Sequence, residues 1–297
     1  MNLVLDNVNL NSNSGPNSFA SKLYKYAAKE GHKINESIEV DAYLCFIESS
    51  RRSYDKPMFQ RLDGIYFNSE FDYSKQNENI KRTYEMADGV IFQSEFNKEL
   101  TSHYFGLHPN HIVIHNGADI EAIDNTPMLQ FDRYESLWSC ASSWRPHKRL
   151  DENIRYFLEH SSQYDGLMIA GDVPPEQRIK EDRIHYVGTL NQRQLFALYK
   201  RTERFLHLAW LDHCPNVVVD ARACGCQVIC SSAGGTREIA GPNAIVIEEE
   251  PWNFEPVELY KPPKLNFQKK LDNINKTCYN IDMPYVAKQY MNFMSKK

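Results

Sequence analysis

The sequence predicts two doubly wound α/β domains facing each other across a cleft. Three observations carry this expectation. Short apolar runs alternate with stretches whose apolar residues recur at helical spacing, which implies parallel strands joined by helices. This alternation occurs twice along the 297 residues, a length sufficient for two ordinary domains. Between the two series, Asp119–Phe131 contains a proline and little periodicity, as a linker would. The expected division is a first domain at 1–120, a linker at 121–135, a second domain at 136–275 and a helical tail at 276–297.

In the first series, Leu3–Asp6 reads as a strand, and a polar loop Asn11–Gly15 leads to Pro16, which suits the first turn of a helix. Phe19, Leu23, Tyr26 and Ala27 then share one helical face. Further strands are expected at Ala42–Ile47, Met58–Leu62, Ile65–Phe67, Gly89–Gln93 and Ile112–His115, with Ser94 capping the helix after the fourth of them. The second series places strands at Leu137–Ser142, Leu167–Ala170, Ile184–Val187, Phe205–Ala209, Gln227–Cys230 and Ala244–Ile247. Helices fall at Asp151–His160, Gln192–Arg201 and Val217–Cys224. Met283–Met294 is amphipathic, and the sequence leaves open whether it docks on the second domain or crosses back to the first. The cleft between two such domains is the expected ligand site.

Composition narrows the function classes. Apolar residues make up 42% of the chain, enough for a proper core. The 34 basic and 39 acidic residues are dispersed, which argues against a nucleic-acid partner. The first residues read as a strand and not as a leader, and no apolar run approaches the ~20 residues of a membrane helix. With seven cysteines, the expectation is reduced thiols and a cytoplasmic location. Cys224, Cys226 and Cys230 lie near His213 and Cys214, but their spacing does not supply a zinc ligand set, so no metal is expected.

The most informative stretch is Leu208–Ile239. Asp212 sits just past a strand, at the functional edge of a parallel sheet. Pro215 is placed to open a helix, and the N–H groups of Asn216, Val217 and Val218 would then face the crevice as a phosphate site. Asp220 lies about one turn further on, so two carboxylates flank one helix start and can accept hydrogen bonds from hydroxyls. Gly234-Gly235-Thr236 offers a loop that a ligand can approach closely. A hydroxyl-rich ligand with a phosphate core, such as a nucleotide sugar, needs this combination. The competing structural reading makes both aspartates ordinary helix-start acids.

This segment resembles the signature of the GT4 family of retaining glycosyltransferases, which have the GT-B fold. That signature has two glutamates with seven residues between them, then a small-residue helix, a strand and a Gly-Gly-x-x-Glu loop. Here the acids are Asp212 and Asp220, and the loop runs from Gly234 to Glu238. Aspartate replaces glutamate at both positions, so each carboxylate is one methylene shorter. The resemblance implies that Asp212 meets the donor sugar and Asp220 the ribose. It also aligns Ser143–Arg149 with the family's diphosphate clamp, giving Arg145 as a bidentate fork and Lys148 as a point charge. Gly15-Pro16 resembles the family's glycine loop, and Ala170-Gly171-Asp172 and Gly188 follow in order. No histidine occurs in Glu48–Ser53, where the family often has one. Asp63, before Gly64, either lines the acceptor side of the cleft or is a turn residue.

The resemblance implies transfer of a sugar from a nucleotide diphosphate sugar to a glycan, lipid-linked or small-molecule acceptor, with retention and without a cofactor. The sequence contains no D-x-D, G-x-G-x-x-G after the first strand, Walker motif or G-x-S-x-G. The alternatives are a degenerate GT-B protein that binds a nucleotide or glycan without turnover, and a sugar-nucleotide epimerase.

Overall fold

The computed structural model describes residues 1–12, 14–36, 39–271 and 279–295. Residues 276–278 and 296–297 of the expected tail, including Cys278, lie outside the described residues.

The first half forms β1 (Asn2–Asp6), α1 (Gly15–Lys29), β2 (Lys33–Ile34), β3 (Ala42–Phe46), β4 (Met58–Leu62), α2 (Tyr73–Met86), β5 (Gly89–Phe92), α3 (Glu95–Phe105) and β6 (His111–Val113). Its sheet is parallel, in the order β2-β1-β3-β4-β5-β6. After α4 (Ile120–Asp124), the second half forms β7 (Ser136–Ala141), α5 (Leu150–His160), β8 (Asp165–Ala170), β9 (Ile184–Gly188), α6 (Gln192–Arg201), β10 (Arg204–His207), α7 (Asn216–Ala223), β11 (Gln227–Ser231), α8 (Thr236–Ile239) and β12 (Ile245–Ile247). This sheet is also parallel, in the order β12-β11-β10-β7-β8-β9. Two doubly wound layers are therefore present.

Local chemistry explains the element ends. Ser94 accepts a hydrogen bond from the Asn97 amide at 3.0 Å and starts α3, as its position predicted. Asn191 and Gln194 form a reciprocal capping box at the start of α6. Strands β3, β4, β5 and β8 are buried at every residue, as expected of parallel strands covered on both faces.

Three expectations need correction. Ile65–Phe67 is not a strand: Asn77 of α2 takes up both backbone groups of Tyr66, at 2.8 and 2.7 Å, so no neighbouring strand is needed. The run expected to be a linker contains α4, which Asp119 caps by accepting from the Ala122 amide at 3.0 Å. Lys33–Ile34 is a short edge strand that the sequence did not announce.

The last helix, α9 (Met283–Met294), settles the question left open by its sequence. It crosses back to the first half. Tyr290 packs on Phe19 and Phe293 on Phe59, with ring centroids 5.4 and 5.7 Å apart. A short parallel bridge between Ala118 and Asp282 brings the returning chain alongside the crossover segment.

Candidate active site

The two sheets reverse strand order between β1 and β3 and between β7 and β10. At such a switch point the loops diverge and leave a crevice at the carboxyl ends of the strands. Lys148 follows β7, and His207 and Asp212 come from the end of β10 and its loop, so all three stand at the second switch point.

Lys148 closes a short 3-10 turn, Pro146–Lys148. Its position is fixed by the next residue. Arg149 has φ 52°, a left-handed conformation unfavourable for a non-glycine residue, and is 1% exposed. Its guanidinium holds both oxygens of Glu249 at 2.8 and 2.7 Å and donates to the Leu208 and Pro263 carbonyls. Leu211, before Asp212, is likewise left-handed at φ 55°. Strained residues thus flank both members of the pair, a pattern associated with functional sites.

Lys148 Nζ donates to Asp212 Oδ2 at 2.6 Å, and His207 Nε2 lies 2.8 Å from the same oxygen. The other oxygen, Oδ1, accepts from the His213 amide at 3.1 Å. Burial pushes the Asp212 carboxyl up, but the Lys148 charge and the His207 contact outweigh it and hold the group well below the usual range. Burial lowers His207, opposed by Asp212. Burial also pushes His213 down to about 4 and, with the Lys148 charge, His147 down to about 3. Near neutral pH the cluster is one cation and one carboxylate surrounded by uncharged imidazoles. The Lys148 and Asp212 side chains are 18% and 14% exposed, so a ligand in the crevice can reach them.

The remaining sequence candidates fall into distinct places. Asn216 Nδ2 donates across the cleft to the Gly15 carbonyl at 3.0 Å, which brings those two together. The amides of Val218 and Val219 are taken by the Pro215 carbonyl. This corrects the expectation that Val218 offers a free N–H; those of Asn216 and Val217 are at the open end of α7. Asp220 does not converge on Asp212. It faces α1, where Lys22 Nζ lies 3.5 Å from Oδ1 and also donates to the Gly117 carbonyl at 2.6 Å. Burial raises the Asp220 carboxyl and Lys22 opposes it. Arg145 is exposed, carries no ion pair among the described residues, and lines a cavity beside α5 with Leu150 and Ile154. Asp63 is ion-paired with the buried Arg61.

The glycine pair supports the site from below. Gly234 bridges Asp212, and the Gly235 amide donates to the Asp212 carbonyl at 2.8 Å. A Cβ at Gly235 would lie 2.0 Å from the His213 carbonyl oxygen and 2.7 Å from Ser94 Oγ of the opposite half. Thr236 is buried at the start of α8. Gly235→Ala is therefore expected to push the 212–213 segment away and lower the melting temperature by several degrees, a cost of roughly 1–3 kcal/mol. An unchanged melting curve would contradict that packing.

Sequence reasoning missed Lys22, His207, Glu238 and Glu249. Glu238 accepts from the Glu95 and Phe96 amides at 2.8 and 2.9 Å, capping α3 from the opposite half, and lies 2.8 Å from His115 Nε2. Only its place in the Gly-Gly-x-x-Glu loop marked it. Among the described residues, no three His, Cys, Asp or Glu side chains are grouped to hold a metal, and the six described cysteines are free.

Comparison with known proteins bears on this arrangement. Residues 137–255 match the family model described as "Glycosyl transferases group 1". The structure is similar over 99% of both chains to Anabaena Alr3699/HepE in complex with UDP and glucose, with a TM-score of 0.69 and 14% identity. The chain has the GT-B fold. Sucrose-phosphate synthase from Thermosynechococcus elongatus covers 84% of this chain and 86% of its own, with a TM-score of 0.64 and 12% identity. WaaG, a glycosyltransferase involved in lipopolysaccharide biosynthesis, covers 98% and 95%, with a TM-score of 0.62 and 10% identity. At these identities the likeness concerns the GT-B fold. No curated protein matches the sequence significantly. The family match spans Lys148, His207, Asp212 and the glycine loop, the residues that the fold gathers at the second switch point. No described helix is long and apolar enough to cross a membrane.

Proposed function

We propose that the protein transfers a sugar from a nucleoside diphosphate sugar to an acceptor hydroxyl, with retention of anomeric configuration and without a metal ion. The observation that carries this reading is Lys148 at the β7/β10 switch point, held by Asp212, whose same oxygen His207 also meets, inside the segment that matches the group 1 glycosyl transferases. The bound UDP and glucose of the Anabaena relative support a nucleotide sugar as donor.

The chemistry follows from charge. The bond between the anomeric carbon and the diphosphate oxygen breaks, and negative charge grows on the diphosphate. Lys148 supplies a preorganised cation for that charge, and the open end of α7 supplies the N–H groups of Asn216 and Val217. The acceptor oxygen forms the new bond, and its proton passes to the leaving diphosphate on the same face. This route to retention needs no paired carboxylates of the glycosidase kind. Gly15 faces α7 across the crevice, and Thr236 and the glycine pair set the floor beside Asp212. The cytoplasm is the proposed location.

One observation favours a second reading, a GT-B protein that holds a nucleotide or glycan without turnover. Both acids are engaged within the protein, Asp212 with Lys148 and Asp220 with Lys22. A thermal-shift screen of nucleoside diphosphates and their sugars tests what the two readings share, because a ligand of the native state raises its apparent stability. At least one nucleoside diphosphate is expected to raise the melting temperature, and no shift across the panel would reject the transferase reading and the nucleotide-binding form of the second. Activity is expected to survive EDTA, with Lys148 supplying the cation for the leaving diphosphate. Loss of activity on chelation, restored by Mn²⁺ or Mg²⁺, would overturn metal independence.

The two acids are expected to separate in binding. Asp220→Ala leaves Lys22 buried without its carboxylate and should weaken nucleoside diphosphate affinity through the displaced α1–α7 contact. Asp212→Ala should leave that affinity nearly unchanged and reduce turnover. Calorimetry on both variants checks this; unchanged affinity in Asp220→Ala, with only a lower melting temperature, would assign Asp220 to structure alone.

A further inference from the structure

A second cavity, of about 580 Å³, lies over the carboxyl ends of β11 and β12. Both halves of the molecule line it. Phe96 and Glu99 come from α3, Gly234 and Arg237 from the glycine loop and α8, and Trp252 and Phe254 from the segment after β12. Its volume fits a small ligand of one or two sugar rings.

Its chemistry is opposite to that of the Lys148 site. Five glutamates line it against a single arginine, which disfavours a phosphate. Phe96, Trp252 and Phe254 form one aromatic group, with ring centroids 5.3 to 6.2 Å apart, and all three are only partly buried. Aromatic faces offer apolar surface to the C–H faces of a sugar ring, while carboxylate and guanidinium groups bond its hydroxyls. Glu99 and Arg237 are exposed and carry no ion pair among the described residues, so both remain available. The aromatic wall is held under strain. Phe254 has φ 65°, and its carbonyl accepts from Tyr104 Oη at 2.9 Å. Leu211, the other strained residue on this wall, directly precedes Asp212. The cavity and the Lys148 site therefore share one stretch of backbone: Gly234 lines the cavity and bridges Asp212.

We propose that this cavity is an acceptor subsite for an uncharged or amine-bearing saccharide, with Trp252 and Phe254 as the stacking wall and Glu99 and Arg237 as hydroxyl partners. The inference rests on the transferase reading, which places the donor at Lys148 and leaves this side of the Asp212 segment for the second substrate. It also assigns the acceptor to residues of both halves.

The test titrates the full chain with maltose, N,N'-diacetylchitobiose and chitobiose by calorimetry, with UDP titrated in parallel. At least one saccharide is expected to bind. Trp252→Leu should weaken it by tenfold or more, and Glu99→Gln and Arg237→Ala by about tenfold each, with UDP affinity unchanged. Glu99 and Arg237 are exposed, so their variants fold even if Trp252→Leu does not. Saccharide affinity equal in wild type and in the two exposed variants overturns the proposal, as does UDP binding with no saccharide bound. Saccharide binding that depends on these residues in a protein that binds no nucleotide keeps the subsite and rejects the donor reading.

Discussion

Replacing Lys148 with alanine is expected to lower turnover of a nucleotide sugar by about 10²-fold or more, the usual loss when one charge-stabilising group is removed from a developing anion. The structure adds a second reason. Lys148 is the principal charge that keeps Asp212 ionised at this depth, so its loss leaves a carboxylate supported, among the described residues, only by His207 and the His213 amide. Arg145→Ala is expected to keep turnover within about tenfold, because the Arg145 side chain is exposed beside α5 and carries no ion pair among the described residues. Initial rates for both variants under saturating donor check this contrast. Equal losses would return Arg145 to the diphosphate clamp that sequence resemblance assigned to it.

Glu249→Ala is expected to have the largest effect on stability. It would leave the Arg149 guanidinium, 1% exposed and bound bidentately, without its counter-charge. Breaking such a pair from one side costs about 3–5 kcal/mol, which corresponds to a fall of roughly 10 °C in melting temperature for a domain of this size. Arg149→Lys, with Glu249 retained, should also lose stability, because an ammonium group cannot reproduce the planar fork. The neighbouring Glu250 provides the control. Its side chain is 89% exposed and pairs with Lys269 at 3.3 Å, so Glu250→Ala should change stability by less than about 1 kcal/mol. Thermal melts of the three variants separate these outcomes.

What was legible in the sequence follows from which information is local. The extent of α6 could be read because Leu195, Leu198 and Tyr199 share one face within a single turn and a half of sequence. The extent of α9 could be read from its apolar face, but not its destination, because Phe19 and Phe59 lie in the other half of the chain. Ile65–Phe67 misled because its apolar alternation is real, yet its backbone bonds go to an asparagine side chain in α2. In the site, Asp212 was singled out by its position after a strand, and Lys148 by the resemblance of Ser143–Arg149 to a diphosphate clamp. Their mutual bond was not, since it depends on β7 and β10 being neighbours. The same limit hid the Lys22–Asp220 pair and the Glu238 cap on α3, each of which spans the cleft.

The central claim is that Lys148 serves a leaving nucleoside diphosphate. The most direct measurement is release of UDP from UDP-glucose by wild type and Lys148→Ala, with and without a saccharide acceptor. Saccharide-dependent release by the wild type, reduced by about 10²-fold in Lys148→Ala with the fold intact, is the predicted result. UDP binding without release under any condition, or release that is the same in both proteins, would contradict it.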